Sequence, residues 1–287
     1  MNNSPEYIHS ELPAIELFQK MGYQYYDGSQ TEERNDITEV ILKDRLLKAI
    51  QRINPWINEN NLKKAYSKVT DVNGASLMEI NQNIWGIIRG GTFSLKQVIN
   101  GTEEFKPIHF IDYINPKNND FLVVNQIKYH GKYQNSIPDL VVYINGLPIS
   151  IIECKSPSLS GTKSPTELAV EQHIRNFSKN GIRSLYVYSG LLLSIATNDG
   201  SYATTGTSKE FWAKWKEQFA NRESEDAYWP ILKELKNRPI SPQQKIDLFA
   251  ERKYGFSYAK PYFDGLEKEE RQLTKQDELL YSLCRPD

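Results

Sequence analysis

The stretch IPDLVVYINGLPISIIECKSP, residues Ile137 to Pro157, is the most hydrophobic segment of the chain and decides its fold. Two apolar runs, DLVVYI and ISIIECK, flank the turn NGLP, which predicts a β-hairpin. Asp139 stands at the start of the first run, and Glu153 and Lys155 interrupt the end of the second. Burying charged side chains is costly, so these three residues require a chemical explanation.

The pairing of the two strands decides whether the three side chains can meet. Side chains alternate along a strand, so Glu153 and Lys155 share one face and Cys154 lies on the other, where it is most simply a small core residue. Asp139 joins Glu153 only if the numbers of paired residues sum to an even value. That requires a loop of three or five residues or a β-bulge, and Asn145-Gly146 favours such irregularity.

Composition defines a broad class and excludes several functions. The 287 residues carry 35 basic and 36 acidic side chains, a formal charge of -1, which argues against a general nucleic-acid coat protein. No apolar run approaches the length of a transmembrane helix, no secretory signal is present, and Cys154 and Cys284 have no metal-like spacing; a reduced, cytoplasmic protein is expected. A phosphate-binding G-x-x-x-x-G-K-[ST] motif is absent, so this chain should not hydrolyse ATP.

Hydrophobic periodicity outlines the remaining elements. Helices are predicted over Ser10 to Tyr23, over Asp36 to Pro55 with Asp36 as the cap, and over Ser164 to Gly181 with a Ser164–Glu167 capping box. From about residue 78 the texture predicts strands, including NIWGIIRGGTFSLKQVI and IHFIDYI. After about residue 220 the chain is polar and predicts helices or linker.

Two carboxylates on one face of a strand end repel each other and are costly to desolvate. A divalent cation removes both penalties, and Mg²⁺ needs few protein ligands because it keeps waters and phosphate oxygens. A lysine beside them can orient water and stabilise charge on a reacting phosphate. Asp139, Glu153 and Lys155 therefore suit metal-dependent phosphodiester hydrolysis. A Glu-x-Lys pair is usually a solvated strand face, but this one ends a very apolar strand and precedes a well-capped helix.

Other side chains could join this site. Gln172 and Asn176 lie one turn apart on the predicted helix after Lys155, where they could reach the site or face solvent. Glu39 lies near the start of its predicted helix, where an acid is commonly a favourable helix-end charge.

The PD followed by ECK matches the PD-(D/E)xK nuclease pattern. FLVVNQIKYHG, IPDLVVYINGLPISIIECKSP and ATNDGSYATTGTSKEFWAKWK resemble the N-terminal endonuclease region of the R subunit of type I restriction-modification enzymes, as does ERNDITEVILKDRLLKAIQRINP. The resemblance covers about residues 6 to 216. It implies an α/β fold with a restriction-endonuclease-like core, a mixed β-sheet flanked by helices.

The resemblance also implies roles for particular residues. Asp139 and Glu153 would hold Mg²⁺, Lys155 would position the attacking water, and the family's helix glutamate maps to Glu39. Relatives of RecB type carry a Q-x-x-x-Y motif, which Gln172 matches. Asn176 stands where the tyrosine is expected.

A domain organisation and partners follow from the same resemblance. Residues 1–235 would form the nuclease domain, with N-terminal helices over 10–65 and a catalytic core over about 78–220. Residues 236–287 would be a helical linker towards a motor, which alone would use ATP. The implied partners are double-stranded DNA and a methyltransferase core of modification and specificity subunits, with no membrane. A stand-alone RecB-like nuclease or resolvase, and a non-catalytic docking module for DNA and subunits, are the alternatives.

Overall fold

The computed structural model describes residues 4–30, 33–91, 93–133, 135–158, 161–250 and 257–286. A π-helical turn, Tyr7–Glu11, runs directly into the first α-helix. The α-helices are α1 Leu12–Lys20, α2 Lys43–Ile53, α3 Glu59–Thr70, α4 Leu77–Ile88, α5 Pro165–Phe177, α6 Arg183–Tyr186, α7 Arg222–Asn237, α8 Pro242–Phe249, α9 Lys260–Leu266 and α10 Lys275–Cys284. The strands are β1 Gln24–Asp27, β2 Ser94–Ile99, β3 Thr102–Pro107, β4 Phe121–Asn125, β5 Tyr129–His130, β6 Asn135–Ser136, β7 Leu140–Ile144, β8 Leu147–Cys154, β9 Leu191–Ala196, β10 Asp199–Ala203 and β11 Ala213–Lys214.

Seven strands form one mixed sheet in the order β1-β4-β7-β8-β9-β10-β11. The pairs β1–β4 and β8–β9 are parallel, and the other neighbours are antiparallel. The hairpins β2–β3 and β5–β6 stand apart from this sheet. The architecture confirms the predicted mixed sheet flanked by helices, and the strands at its centre, β7 and β8, come from the apolar stretch 137–157.

Each face of the sheet buries its own apolar layer. On the face that carries Val141 and Ile151, the sheet packs against α2, α3, α4 and α6. On the face that carries Leu140 and Ile152, it packs against α1, α8, α9 and α10. Cys154 is fully buried in the second layer, as expected for a small core residue. Within the described residues, no helix combines the length and apolar character needed to cross a lipid bilayer.

A β-bulge in the central hairpin satisfies the pairing condition that the sequence sets. Asn145 and Gly146 form a two-residue turn, and both have positive φ, 53° and 81°. Next to the turn, Tyr143 pairs with Pro148, but Val142 pairs with Ser150, so the register shifts by one residue. Beyond the shift the numbers of paired residues sum to an even value, because Leu140 pairs with Ile152. The face of Asp139 is therefore that of Glu153.

Three predicted elements differ in the structure. The helix predicted from Asp36 begins only at Lys43, because the preceding backbone bonds elsewhere: His130 N on β5 donates to Ile37 O, and Leu42 N donates to Gly146 O in the turn of the central hairpin. The segment NIWGII, predicted as strand, forms the second half of α4. IHFIDYI was predicted as a strand and has no regular structure.

Helix α5 confirms its prediction from the sequence. The Ser164 side chain accepts from Glu167 N, and the Glu167 carboxylate accepts from Ser164 N, which completes the capping box. Pro165 occupies the first turn, and the helix packs on β8 and β9. Within residues 236–287, which were predicted as a linker, α10 packs on the molecule, since it contacts α1 and β10. The boundary at residue 235 stays a prediction.

Candidate active site

The candidate site lies where β7 begins and β8 ends. Asp139 immediately precedes β7, Glu153 is the second-last residue of β8, and Lys155 follows the strand. The Asp139 Oδ2 atom accepts a hydrogen bond of 2.7 Å from Cys154 N and lies 3.6 Å from Lys155 Nζ. Burial raises the pKa of Glu153, and the negative charge of Asp139 raises it further, so the two carboxyl groups interact. The structure therefore brings together the acids and the base of the PD…ECK pattern.

Helix α5 supplies the side chains that hold Glu153. Gln172 Nε2 donates to Glu153 Oε2 at 2.5 Å, and Asn176 Nδ2 donates to Glu153 Oε1 at 3.1 Å. Glu153 is fully buried, so an amide donor at each oxygen offsets part of its desolvation. Helical spacing alone did not decide whether Gln172 and Asn176 face the site or solvent. In the structure, both face the site.

The N-terminal helix, residues 7–20, and the residue that precedes it contribute two further acids that no sequence motif indicates. Carboxylate oxygens of Glu6, Glu11 and Asp139 lie within 4.8 Å of one another. Glu6 Oε2 is 3.4 Å from Lys155 Nζ, and Glu11 Oε2 accepts from Gln126 Nε2 at 3.2 Å. Sequence reasoning missed these two glutamates, because their approach to Asp139 depends on how the helix packs across the sheet. Glu6, Glu11, Asp139 and Glu153, together with Lys155, are called the acid cluster below.

The carboxyl groups of the acid cluster all have raised pKa values. Burial raises the pKa of Glu11 and of Glu153 well above 4.5, and the charge of Asp139 raises both further. Burial and Asp139 also raise the pKa of Glu6. Burial raises the pKa of Asp139 above 3.8, against the opposing charge of Lys155. Four acids share one lysine, so the cluster has more carboxylate than its own cation can neutralise.

Lys155 behaves as a permanent cation in this setting. Burial acts to lower its pKa, but the charges of Asp139, Glu6 and Glu153 outweigh burial and hold the pKa above 10.5. The Nζ atom also donates to the Cys154 carbonyl at 2.5 Å, which fixes the ammonium next to the two acids of the hairpin. At neutral pH this lysine can donate hydrogen bonds and stabilise anions, but it cannot accept a proton.

The donor set fits a divalent cation. Its ligand atoms are carboxylate oxygens, which suit Mg²⁺ and Mn²⁺, and those of Glu6, Glu11 and Asp139 lie within 4.8 Å of one another. The excess of acid over base is what a bound cation would neutralise. Asp139 lies at the centre: its carboxylate is within 4.8 Å of those of Glu6 and Glu11, and its charge adds to the rise that burial causes in the pKa of Glu153. Asp139 and Glu153, with Glu11 and Glu6 beside them, are the residues that would hold the ion.

Glu39 is not brought to the acid cluster. It lies in the loop before α2, where its carboxylate accepts hydrogen bonds from the backbone and side chain of Asn35. None of the contacts of Asp139, Glu153 and Lys155 described above involves it. Its catalytic role stays a prediction, and among the described acids the N-terminal helix offers Glu11 instead.

The mixed sheet, with two acids and a lysine on adjacent strand ends, is consistent with a restriction-endonuclease-like core of the PD-(D/E)xK class. Comparison of the sequence with protein families makes this specific. Residues 6–212 match the family described as the type I restriction enzyme R protein N terminus. The chain belongs to this family.

Curated relatives carry related names. A Methanocaldococcus jannaschii protein named as the MjaIXP endonuclease subunit of a type I restriction enzyme is 32% identical over 212 residues, which cover 71% of this chain and 20% of that protein. The type I restriction enzyme HindI endonuclease subunit of Haemophilus influenzae is 25% identical over 248 residues, 83% of this chain and 23% of that protein. The chain thus spans about a fifth of the length of these relatives.

Proposed function

We propose that this chain is the DNA-cleaving domain of a type I restriction endonuclease and hydrolyses phosphodiester bonds of double-stranded DNA with a divalent cation, Mg²⁺. Family membership supports the endonuclease class, and the relatives it matches are named as endonuclease subunits. The geometry supports the chemistry. The single observation that carries it is the convergence of Asp139, Glu153 and Lys155 through the hairpin bulge.

Each residue of the site has a defined task in this proposal. When bound, the cation supplies charge neutralisation at the phosphate and acidifies water. Asp139 and Glu153 hold it, and Gln172 keeps the Glu153 carboxylate in position through its hydrogen bond. Lys155 remains protonated, so it orients the attacking water or stabilises the phosphate as charge develops on its oxygens. Attack in line on phosphorus leaves a free sugar hydroxyl as the leaving group.

The partners are part of the same proposal. In the assembled enzyme, recognition of the DNA site would rest with a methyltransferase core of modification and specificity subunits. Translocation along DNA would use ATP in a motor outside this chain. With a formal charge of -1, the chain offers little general attraction for DNA, so we expect weak cleavage by the isolated domain.

Substitution of Asp139 or Lys155 by alanine tests the proposal most directly. Each should abolish nicking of supercoiled plasmid by the assembled enzyme. Asp139→Ala removes a ligand of the metal ion, and Lys155→Ala removes the positively charged side chain of the acid cluster. Conversion of supercoiled to open-circular DNA in Mg²⁺ measures the effect. Full cleavage by either variant would refute the assignment.

Metal binding provides a second readout on the chain itself. Titration with Mn²⁺, followed by calorimetry, should give binding that is lost in Glu153→Gln. The matched control is Asp277→Asn, another fully buried acid that pairs with Lys236 at 2.7 Å outside the acid cluster. It should bind Mn²⁺ as the unchanged chain does. Absence of Glu153-dependent binding would instead favour a docking module without catalysis.

A further inference from the structure

Gln126, directly after β4, is bonded to two acids of the acid cluster that come from different parts of the chain. Its backbone N donates to the Asp139 carbonyl oxygen at 2.9 Å. Its side-chain Nε2 donates to the Glu11 carboxylate, at 3.2 Å from Oε2 and 3.4 Å from Oε1. One residue therefore links Asp139, just before β7, to Glu11 on the N-terminal helix, and the proposed chemistry gives this residue no task.

The backbone of Gln126 lies in the left-handed region, with a φ of 50°. The Cβ atom makes this region unfavourable for most residues, and glycine or asparagine usually occupies it. Asn145, in the turn of the central hairpin, and Asn100, in the turn between β2 and β3, have φ values of 53° and 51° and follow that preference. Glutamine does not follow it, so the residue type at position 126 requires an explanation from what its side chain contacts.

The neighbours of Gln126 hold its backbone in this conformation. Asn125 and Ile127 are fully buried, and Asn125 pairs with residues of both β1 and β7. Gly28, just after β1, lies against the same segment, since a Cβ atom added there would be 2.4 Å from the Ile127 Cα atom. The backbone on both sides of Gln126 is therefore fixed, and its side chain reaches Glu11 from a defined position.

We propose that Gln126 is a positioning residue that sets the spacing between the carboxylates of Glu11 and Asp139 for the cation. The inference rests on the proposed function, in which the acid cluster holds a divalent cation. Oxygens of these two carboxylates lie within 4.8 Å of each other, so the two like charges tend to move apart. Hydrogen-bond partners of a ligating carboxylate set its orientation and thereby the affinity for metal. Gln126 supplies such a partner to Glu11 from a backbone that is bonded to Asp139.

Gln126→Met keeps the length of the side chain and removes its amide. Without the donor, the Glu11 carboxylate is free to move away from Asp139, and Mn²⁺ affinity measured by calorimetry on this chain should fall about 3- to 5-fold, as for the loss of one hydrogen bond. The matched control is Gln244→Met, the same change at another half-buried glutamine, whose Nε2 donates to Gln19 O at 3.0 Å. It should leave Mn²⁺ affinity within about twofold, because it lies outside the acid cluster.

A second variant separates the reach of the side chain from the strain of the backbone. Gln126→Asn keeps an amide and suits the left-handed region better, but its side chain is one methylene shorter and no longer reaches Glu11. Its Mn²⁺ affinity should fall as in Gln126→Met, and thermal unfolding of both variants shows whether they are folded. If Gln126→Met does not fold, Gln126→Asn alone still decides.

A double-variant cycle shows whether Gln126 acts through Glu11. In the Glu11→Gln background, Gln126→Met should cause no further loss of Mn²⁺ affinity, because the carboxylate that Gln126 positions is already gone. Equal losses in the two backgrounds, or unchanged affinity in the single variants, would overturn the inference and leave the proposed function standing. Failure of the unchanged chain to bind Mn²⁺ through Glu153 would overturn the proposed function as well.

Discussion

The N-terminal helix carries two buried glutamates, Glu11 and Glu16, whose surroundings are opposite in charge. Glu11 belongs to the acid cluster, where four carboxyl groups share Lys155. Glu16 belongs to an ion-pair cluster, in which two acids meet three bases: Glu16, Asp277, Lys20, Lys236 and Arg271. Burial raises the pKa of Glu11, and Asp139 adds to the rise. Burial acts on Glu16 in the same direction, but hydrogen bonds and charges from Arg271 and Lys20 outweigh it and lower the pKa.

The comparison suggests different roles for the two clusters: the ion-pair cluster stabilises the fold, and the acid cluster binds a ligand. Arg271 contacts both Glu16 oxygens at 2.6 Å and ties α1 to the segment before α10, so the ion-pair cluster is complete within the chain. In the acid cluster, Lys155 compensates only part of the charge of four carboxyl groups. An uncompensated buried charge costs several kcal/mol, and a cation is the simplest partner that removes the cost.

The largest expected contrast comes from Glu153→Gln beside Glu16→Gln. Glu153→Gln should abolish plasmid nicking, by a factor of about a thousand or more, because a ligand of the cation is lost. Without metal it should leave the free energy of unfolding unchanged or slightly higher, since one repulsive carboxyl is removed. Glu16→Gln should lower the free energy of unfolding by about 3 kcal/mol, since Arg271 and Lys20 lose their partner.

Urea unfolding and plasmid nicking, each corrected for the folded fraction, measure the two effects. The comparison would fail if Glu16→Gln lost catalysis per folded molecule, or if Glu153→Gln were the more destabilised variant.

The pH dependence of stability should have opposite signs in the two clusters. The pKa of Glu153 is raised on folding, so its contribution is present below pH 4.5 and is lost as pH rises above that value. The pKa of Glu16 is lowered, so its contribution is present above pH 4.5 and is lost as pH falls. Mn²⁺ must displace protons from the acid cluster, so its affinity should rise with pH, up to about tenfold per unit for each proton released.

Thermal unfolding between pH 4 and 8, with and without Mn²⁺, checks these signs. Stabilisation by Mn²⁺ should grow with pH in the unchanged chain and vanish in Glu153→Gln. Stabilisation that is independent of pH would show that the carboxyl groups hold no protons for the metal to displace.

The smallest expected effects distinguish Glu11 from Glu39, the acid that the resemblance selects. Glu11→Gln should weaken Mn²⁺ binding about 3- to 10-fold, because its carboxylate lies beside Asp139. Glu39→Gln should change it less than twofold, because Glu39 bonds to Asn35 instead. Calorimetry at one pH suffices. The reverse ranking would restore Glu39 to the site and remove Glu11 from it.

The parts of the fold that could be predicted are those with a local signal. The capping box of α5 lies within four residues, and the apolar hairpin with its Asn145-Gly146 turn lies within eighteen. If Asp139 is to share a face with Glu153, alternation of side chains requires a bulge or an odd-length loop in the hairpin. Asp139, Glu153 and Lys155 follow from these local patterns. Gln172 follows from helical spacing after Lys155, although its direction towards the site does not.

The failures have physical causes as well. Residues 37–42 favour a helix by spacing, but their backbone groups find partners on β5 and the hairpin, so tertiary bonds replace helical ones. In α4, the isoleucines of NIWGII suggest a strand, although Ser76 and Glu79 form an N-terminal cap that indicates helix. The approach of Glu6 and Glu11 to Asp139 joins positions more than 120 residues apart. Sequence patterns that span a few residues cannot predict a contact over that separation.

The bulge leaves Ile149 of β8 without a paired residue on β7. Because Ile149 faces no partner in the ladder, the loss of a single residue from β8 could be absorbed by straightening the strand, with Asp139 and Glu153 still opposite each other. In strand β7, each residue from Leu140 to Ile144 has a partner on β8. Deletion of one residue from β7 would shift the register, so that Asp139 would no longer lie opposite Glu153 and would point to the other face of the sheet. A one-residue deletion should therefore be tolerated in β8 and should destroy the site in β7.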